Sequence, residues 1–271
     1  MDINKFKEVP LITKNDILKH LIELGVVAGM ILEVHIEDSD FDHVVGGAQS
    51  VVDALMDAVG KGGTLLMPLK IKGNSEPSRW NKKMIAVEQI KELRLSIPAY
   101  NKHNSEVDGK NPVLDNFRRR EEVEVSAHPS IPFMAWGKHA KFLCNRQSLH
   151  FPRSEESPLA RLYELRGSVL LWGVSYEHCA MMHLGEYRAD CRAIQLEGAA
   201  IEVEHKKVWK KYMDIDYQIS DFEDIGKVLE GLNQVQEVKL GMTKIRLIRS
   251  DDVAAATSQY LEKKTVYRLY R

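Results

Sequence analysis

The chain has 271 residues, 44% of them hydrophobic and 28% charged, which suits a folded globular protein of one large domain or two unequal ones. A formal net charge of -1 gives no electrostatic case for nucleic acid or an anionic membrane; MDINKFKEVP has no signal-peptide core and no run nears a membrane span, so a cytoplasmic protein is expected. Cys144, Cys179 and Cys191 are odd in number and show no CxxC spacing, so neither a disulfide framework nor a zinc knuckle is indicated.

In chain order, Thr13 stands three residues before Asp16 and just ahead of Ile17, Leu18, Leu21, Ile22 and Leu24, a capping-box start to an apolar helical face that Gly25 ends. Residues 30–36 read as a strand, and Gly46-Gly47 opens a helix through Val51, Val52, Leu55, Met56 and Val59. Gly60, Gly62 and Gly63 return the chain to a strand over 64–67 that Pro68 stops. This βαβ pattern predicts a mainly parallel sheet covered by helices. A helix that opens on a glycine pair can receive a phosphate on its unpaired amides, although the P-loop lysine and the third glycine of the dinucleotide fingerprint are missing. Residues 35–43 are dense in carboxylates and imidazoles. A calcium loop starting at Asp38 would need Gly and Glu where His43 and Gln49 stand, which leaves a solvated acidic loop or an attractor of polycations.

Residues 70–111 turn polar around Pro77, Trp80 and Pro98, an excursion of the kind that supplies substrate-binding loops. Phe117-Arg118-Arg119-Arg120-Glu121-Glu122 reads as a basic phosphate spot or the charged end of a helix. Ser126-Ala127-His128-Pro129 precedes the apolar stretch 133–136, and Ser157 caps a helix with Pro158 at its first position. The apolar run 169–171 is a buried strand ended by Gly173. A helical segment follows with Cys179, His183, Glu186 and Asp190 on one face. A histidine beside a carboxylate suits acid/base chemistry, because imidazole titrates near neutrality and the carboxylate orients it; a core histidine bonded to Glu186 is the other reading. Cys179, one turn before His183, is either a nucleophile served by that base or a small buried hydrophobe. Residues 222–232 and 251–261 look helical and 243–247 alternate as a strand, so about 211–271 is expected to form a small C-terminal α/β annex.

From Val34 to Glu186 the motifs resemble, in register, the aminoglycoside 3-N-acetyltransferase family. That family has a strand ending in His-Ser-Ser, a Gly-Gly-Ala helix start, Gly-Thr-Leu-x-Met-Pro, Asp-Pro-x-x-Trp, Phe-Arg, Arg-Ser-x-His-Pro, Ser-Pro-Leu-x-x-Leu-Tyr and His-Leu-Ala-Glu. Here stand Val34-His35, Gly46-Gly47-Ala48, Gly63-Thr64-Leu65-Leu66-Met67-Pro68, Glu76-Pro77-Ser78-Arg79-Trp80, Phe117-Arg118, Ser126-Ala127-His128-Pro129, the Ser157 helix through Tyr163, and His183-Leu184-Gly185-Glu186.

The resemblance implies a single domain over 1–271, a three-layer α/β/α fold around a mixed, mainly parallel sheet. It implies acetyl-coenzyme A as donor and an amino group of an aminoglycoside or similar cationic amine as acceptor, an antibiotic-resistance chemistry, with a homo-oligomer left open. It makes His183 the general base oriented by Glu186 and puts His128 on the thioester or substrate. His35, Gly46, Gly47, Ala48 and Ser126 fall to the cofactor; Glu186, Asp190 and Trp80 fall to the substrate. The departures are Ile36-Glu37 for the two serines, Val125 for an arginine, Pro132 for a serine, Lys110-Asn111 for Met-Gly, and Ala180 for a threonine. If that threonine hydroxyl stabilises an oxyanion, its loss costs on the order of a hundredfold in rate. The alternative is therefore a diverged member that keeps the fold and a ligand pocket without acetyl transfer.

Overall fold

The computed structural model describes residues 11–37, 43–80 and 85–269; the first ten residues and positions 38–42 of the acidic loop lie outside the described residues. Helix α1 (Lys14–Glu23) carries the expected capping box between Thr13 and Asp16. Strand β1 (Ile31–Ile36) leads to α2 (Gly47–Val59) and on to β2 (Thr64–Pro68), the predicted βαβ unit, with β1 and β2 parallel and Ile31 opposite Thr64. Gly46 caps α2 with φ at +81°, and a Cβ there would lie 2.4 Å from Ser50 Oγ, so glycine is needed where the chain turns into the helix.

The polar excursion holds α3 (Ile90–Ser96) and α4 (Pro112–Arg118). Strands β3 (Glu124–Val125) and β4 (Phe133–Gly137) follow, then α5 (Ala140–Cys144), α6 (Pro158–Glu164), β5 (Ser168–Trp172) and α7 (Ala180–Ala189). A hairpin of β6 (Ile194–Val203) and β7 (Lys206–Ile215) separates these from α8 (Phe222–Gly231), β8 (Val235–Leu240), β9 (Thr243–Arg249) and α9 (Ser250–Leu269).

Among the described residues the main sheet has seven strands in the order β3-β4-β2-β1-β5-β9-β8. It is mixed as expected, but only the pairings of β1 with β2 and with β5 are parallel; the outer pairings are antiparallel. The C-terminal α/β segment takes its place inside this sheet instead of beside it. Buried Ile245, Leu247 and Ile248 let β9 sit against β5 with both faces covered.

Side-chain alternation along the central strands feeds two cores. Leu32, Val34, Ile36, Leu170 and Trp172 pack with Ile17, Leu21, Val52, Leu55 and Phe117 on one side. Ile31, Val169 and Leu171 pack with Leu162, Met181, Leu184, Phe222, Ile225 and Val253 on the other. Helices α1, α2 and α4 thus cover one face, and α5 to α9 the other, giving three layers. No helix among the described residues is long and apolar enough to cross a membrane.

The β6–β7 hairpin has no counterpart in the sequence reading. It lies against the excursion: the Asn74 side chain bonds both the amide and the carbonyl of Ala200, the Tyr100 amide donates to the same carbonyl, and Arg79 pairs with Glu197 at 2.9 Å.

Candidate active site

Helix α7 leaves the end of β5 beside β1, where His35 stands opposite Leu171, and the Ala180 amide of its first turn lies 3.2 Å from His35 Nε2. The same nitrogen is 2.8 Å from Glu33 Oε1, and Glu33 Oε2 is buried without a hydrogen-bond partner. His35 therefore joins β1 to the start of α7 through Nε2.

One turn on, His183 and Glu186 meet as their spacing predicts. His183 Nδ1 is 2.6 Å from Glu186 Oε2, and a carboxylate partner places the proton on Nδ1. The other carboxylate oxygen accepts from Arg192 Nε at 2.8 Å and from the Gln218 amide at 3.3 Å. Arg192 continues to the Gln218 carbonyl and lies 3.6 Å from Asp221. Both oxygens of Glu186 are thus engaged by the protein, which suits orientation of His183 better than direct contact with a sugar ammonium. The imidazole packs edge-on against Tyr217, with centroids 4.6 Å apart, and against Phe222. Burial, aided by the charge of Arg153 and opposed by Glu186, pushes His183 down to about 4. At neutral pH the ring is uncharged, and Nε2 has no hydrogen-bond partner among the described residues.

Other expected residues have different duties. His128 is not free for chemistry: Nδ1 accepts the Ser130 and Ile131 amides at 3.2 and 3.1 Å, and Nε2 donates to the Leu149 carbonyl at 3.4 Å. Burial holds it down to about 3. It is a neutral ring that closes the β3–β4 turn. Ser126 is likewise built in, its hydroxyl donating to Gln147 at 2.5 Å and accepting the Phe133 amide at 2.8 Å, so it offers nothing to a cofactor. Asp190 is exposed and ends α7 in the left-handed region at φ +46°. It lines a shallow cleft of about 270 Å³ with Glu186, Tyr187 and Arg192. Trp80 bonds Ser75 through its indole nitrogen, far along the excursion. Cys179 is fully buried, and burial with the nearby Glu33 raises its thiol well above the ordinary range, which removes the nucleophile reading. Gly46, Gly47 and Ala48 do open α2, with no side chain capping the first turn and open space around Gly47.

Several residues around His183 escaped the sequence reading. Asp214 accepts hydroxyl hydrogen bonds from Tyr187 and, at 2.9 Å, from Tyr217, besides the Ile215 amide. Burial raises the Asp214 carboxyl above its usual range and the Tyr217 phenol well above its own. Arg153 stacks over Tyr217 with its guanidinium carbon 5.0 Å from the ring centroid, and its charge bears on His128, His183, Tyr212 and Asp214. A large cavity of about 650 Å³ lies elsewhere, between Leu69, the loop carrying Lys110 and Asn111, and Leu114 and Arg118 of α4. Asn111 bonds the Ile36 carbonyl at 2.7 Å, so this cavity adjoins the C-terminal edge of the parallel strands, a customary ligand position in such sheets.

Comparison with known proteins agrees with this architecture. The family model described as aminoglycoside 3-N-acetyltransferase matches residues 34–262. The SPbeta prophage-derived aminoglycoside N(3')-acetyltransferase-like protein YokD of Bacillus subtilis (strain 168) is 36% identical over 236 residues, 87% of each chain. The crystal structure of YokD superposes with a TM-score of 0.88 at 33% identity, covering 92% of this chain and 93% of that one. Aminoglycoside N(3)-acetyltransferase VII of Streptomyces paromomycinus is 30% identical over 265 residues, 94% of this chain and 88% of its own. With the family model spanning most of the chain and the fold shared throughout, the chain belongs to the aminoglycoside 3-N-acetyltransferase family.

Proposed function

We propose that the protein transfers the acetyl group of acetyl-coenzyme A to an amino group of an aminoglycoside or similar cationic amine, with His183 as general base oriented by Glu186. The observation that carries this reading is the buried dyad. Glu186, itself fixed by Arg192, holds the Nδ1 proton of His183 at 2.6 Å and leaves Nε2 without a protein partner among the described residues. An acceptor arrives as an ammonium and must lose a proton before nitrogen can bond to an acyl carbon, so the site needs an unprotonated base within reach.

Acetyl-coenzyme A, the donor in this family, supplies an activated acyl carbon and a thiol leaving group. The residues present suit it. The uncapped first turn of α2 offers amides to a phosphate, and Lys110 and Arg118 place cations on the large cavity at the same edge of the sheet. The second reading, a member that has lost transfer, has one observation behind it: Ala180 brings a methyl where the family has a hydroxyl, and its amide is taken by His35.

Thiol release in the presence of candidate amines, beginning with aminoglycosides, separates the two. His183→Ala should abolish release while calorimetric binding of acetyl-coenzyme A and the circular dichroism spectrum are retained. An unaltered rate would remove the base assignment, and absence of release from the wild type despite coenzyme binding would favour the second reading.

A further inference from the structure

Arg153 stands near His183, and the acetyl-transfer reading leaves it without a task. It lies on the loop between α5 and α6, half-buried. Its Nε is buried with no hydrogen-bond partner, and it forms no ion pair among the described residues. Its guanidinium carbon stands 5.0 Å from the centroid of the Tyr217 ring, the same ring that packs on His183. Two acids stand in this neighbourhood, and each already has its own donors. Glu186 bonds His183, Arg192 and the Gln218 amide; Asp214 bonds Tyr187, Tyr217 and the Ile215 amide. A partly desolvated guanidinium whose acidic neighbour, Asp214, is bonded to other donors is costly, and removing it from beside a base would increase that base's proton affinity. A pocket for a polycation alone has no use for such a group.

We propose that Arg153 is the anion-recognition residue of the acceptor pocket, so that the amine acetylated here carries a carboxylate or phosphate group besides its ammonium. This rests on the acetyl-transfer reading and sets its acceptor apart from an aminoglycoside, which carries no anionic group. A planar fork of N–H donors over an aromatic ring is well suited to either anion. Two other sources of negative charge exist. The phosphates of coenzyme A lie at the far end of the pantetheine arm from the thioester, so they do not reach the neighbourhood of the base. The developing carbonyl oxyanion does, and the kinetics distinguish it. An anion on Arg153 also offsets the charge that helps hold His183 down, so a bound acceptor of this class increases the basicity of the group that must take its proton.

The test uses matched acceptors: γ-aminobutyrate against butylamine, phosphoethanolamine against ethanolamine, and an aminoglycoside, each with the wild type, Arg153→Gln and Arg153→Lys. The expected result is that the wild type favours the anion-bearing member of each pair by about tenfold or more in kcat/KM. That preference should collapse in Arg153→Gln through KM and survive in part in Arg153→Lys. Wild-type preference for the aminoglycoside over every anion-bearing amine overturns the proposal. So does an equal fall in kcat for all acceptors in Arg153→Gln, which would assign the arginine to the oxyanion. If no amine is turned over, the proposal is still read from the imidazole resonance of His183 during titration with inorganic phosphate. An upward move of its titration midpoint by about one pH unit, absent in Arg153→Gln, supports the anion site even though the acetyl-transfer reading fails. No response of His183 to phosphate sinks it.

Discussion

Glu186 has one carboxylate and two orientations to maintain: one oxygen fixes His183, the other fixes Arg192. Replacing it by Gln keeps the shape but leaves the amide only one oxygen for two donors, so one of these contacts is lost and an NH₂ faces a cation or an imidazole. The expected loss is about 10²–10⁴-fold in kcat, as when the orienting acid of a histidine base is neutralised, with little change in acetyl-coenzyme A binding. Steady-state kinetics beside calorimetry checks this; a fall in coenzyme affinity with kcat preserved would take Glu186 out of the orienting role. The pair was legible because i, i+3 spacing on a helix has only one outcome. Its supports were not. Arg192 lies beyond the left-handed Asp190, where helical periodicity no longer relates one side chain to another, and Arg153 approaches from a loop thirty residues upstream. His128 misled for the opposite reason: a histidine before proline looks available, and nothing in the sequence shows that two backbone amides claim its Nδ1.

The dyad is only as well placed as α7, and α7 is set chiefly by α9. Gly185, between His183 and Glu186 where the family pattern has alanine, faces that partner: a Cβ there would lie 2.4 Å from Thr257 Cβ and 2.9 Å from the Ala254 carbonyl oxygen. Alanine would gain about 1 kcal/mol of helix propensity but force two packed helices apart, and overpacking of this kind costs about 1–3 kcal/mol. Gly185→Ala is therefore expected to be net destabilising, and to lower kcat by displacing His183. Urea unfolding with kinetics below the transition tests both, and a variant more stable than wild type would show that the helices separate without strain. At this scale the sequence reading recovered the βαβ unit, because β1, α2 and β2 carry clean periods and glycine punctuation. It missed β6 and β7. Large apolar residues such as Ile194, Leu196 and Met213 are exposed there while Ala199, Ala200, Tyr212 and Asp214 are buried, so polarity along the ribbon does not follow burial and no covered apolar face announces a strand.

For the whole molecule, His183 and His128, the buried histidines held below their ordinary range, bear on how stability responds to acid. His183 is held down to about 4 and His128 to about 3, against about 6.5 for both once the chain unfolds. Between those values the unfolded chain binds protons that the native state refuses, and stability then rises with pH. The histidine contribution is thus complete above about pH 6.5 and is lost as pH falls toward 4, at a limiting slope of about 1.4 kcal/mol per pH unit for each ring. Asp214 acts with the opposite sign, because its raised native pKa lets the folded state take a proton first. A loss of a few kcal/mol is a large share of the ~5–15 kcal/mol available to a domain, so the urea midpoint should drop steadily between pH 7 and 5. His128→Asn, whose side-chain oxygen can still accept the turn amides, should start lower at pH 7 and show about half the slope. A midpoint unchanged from pH 7 to 5 in the wild type would mean that both rings take up their protons in the folded protein. His183 would then titrate as an ordinary imidazole despite its burial and the nearby Arg153 charge.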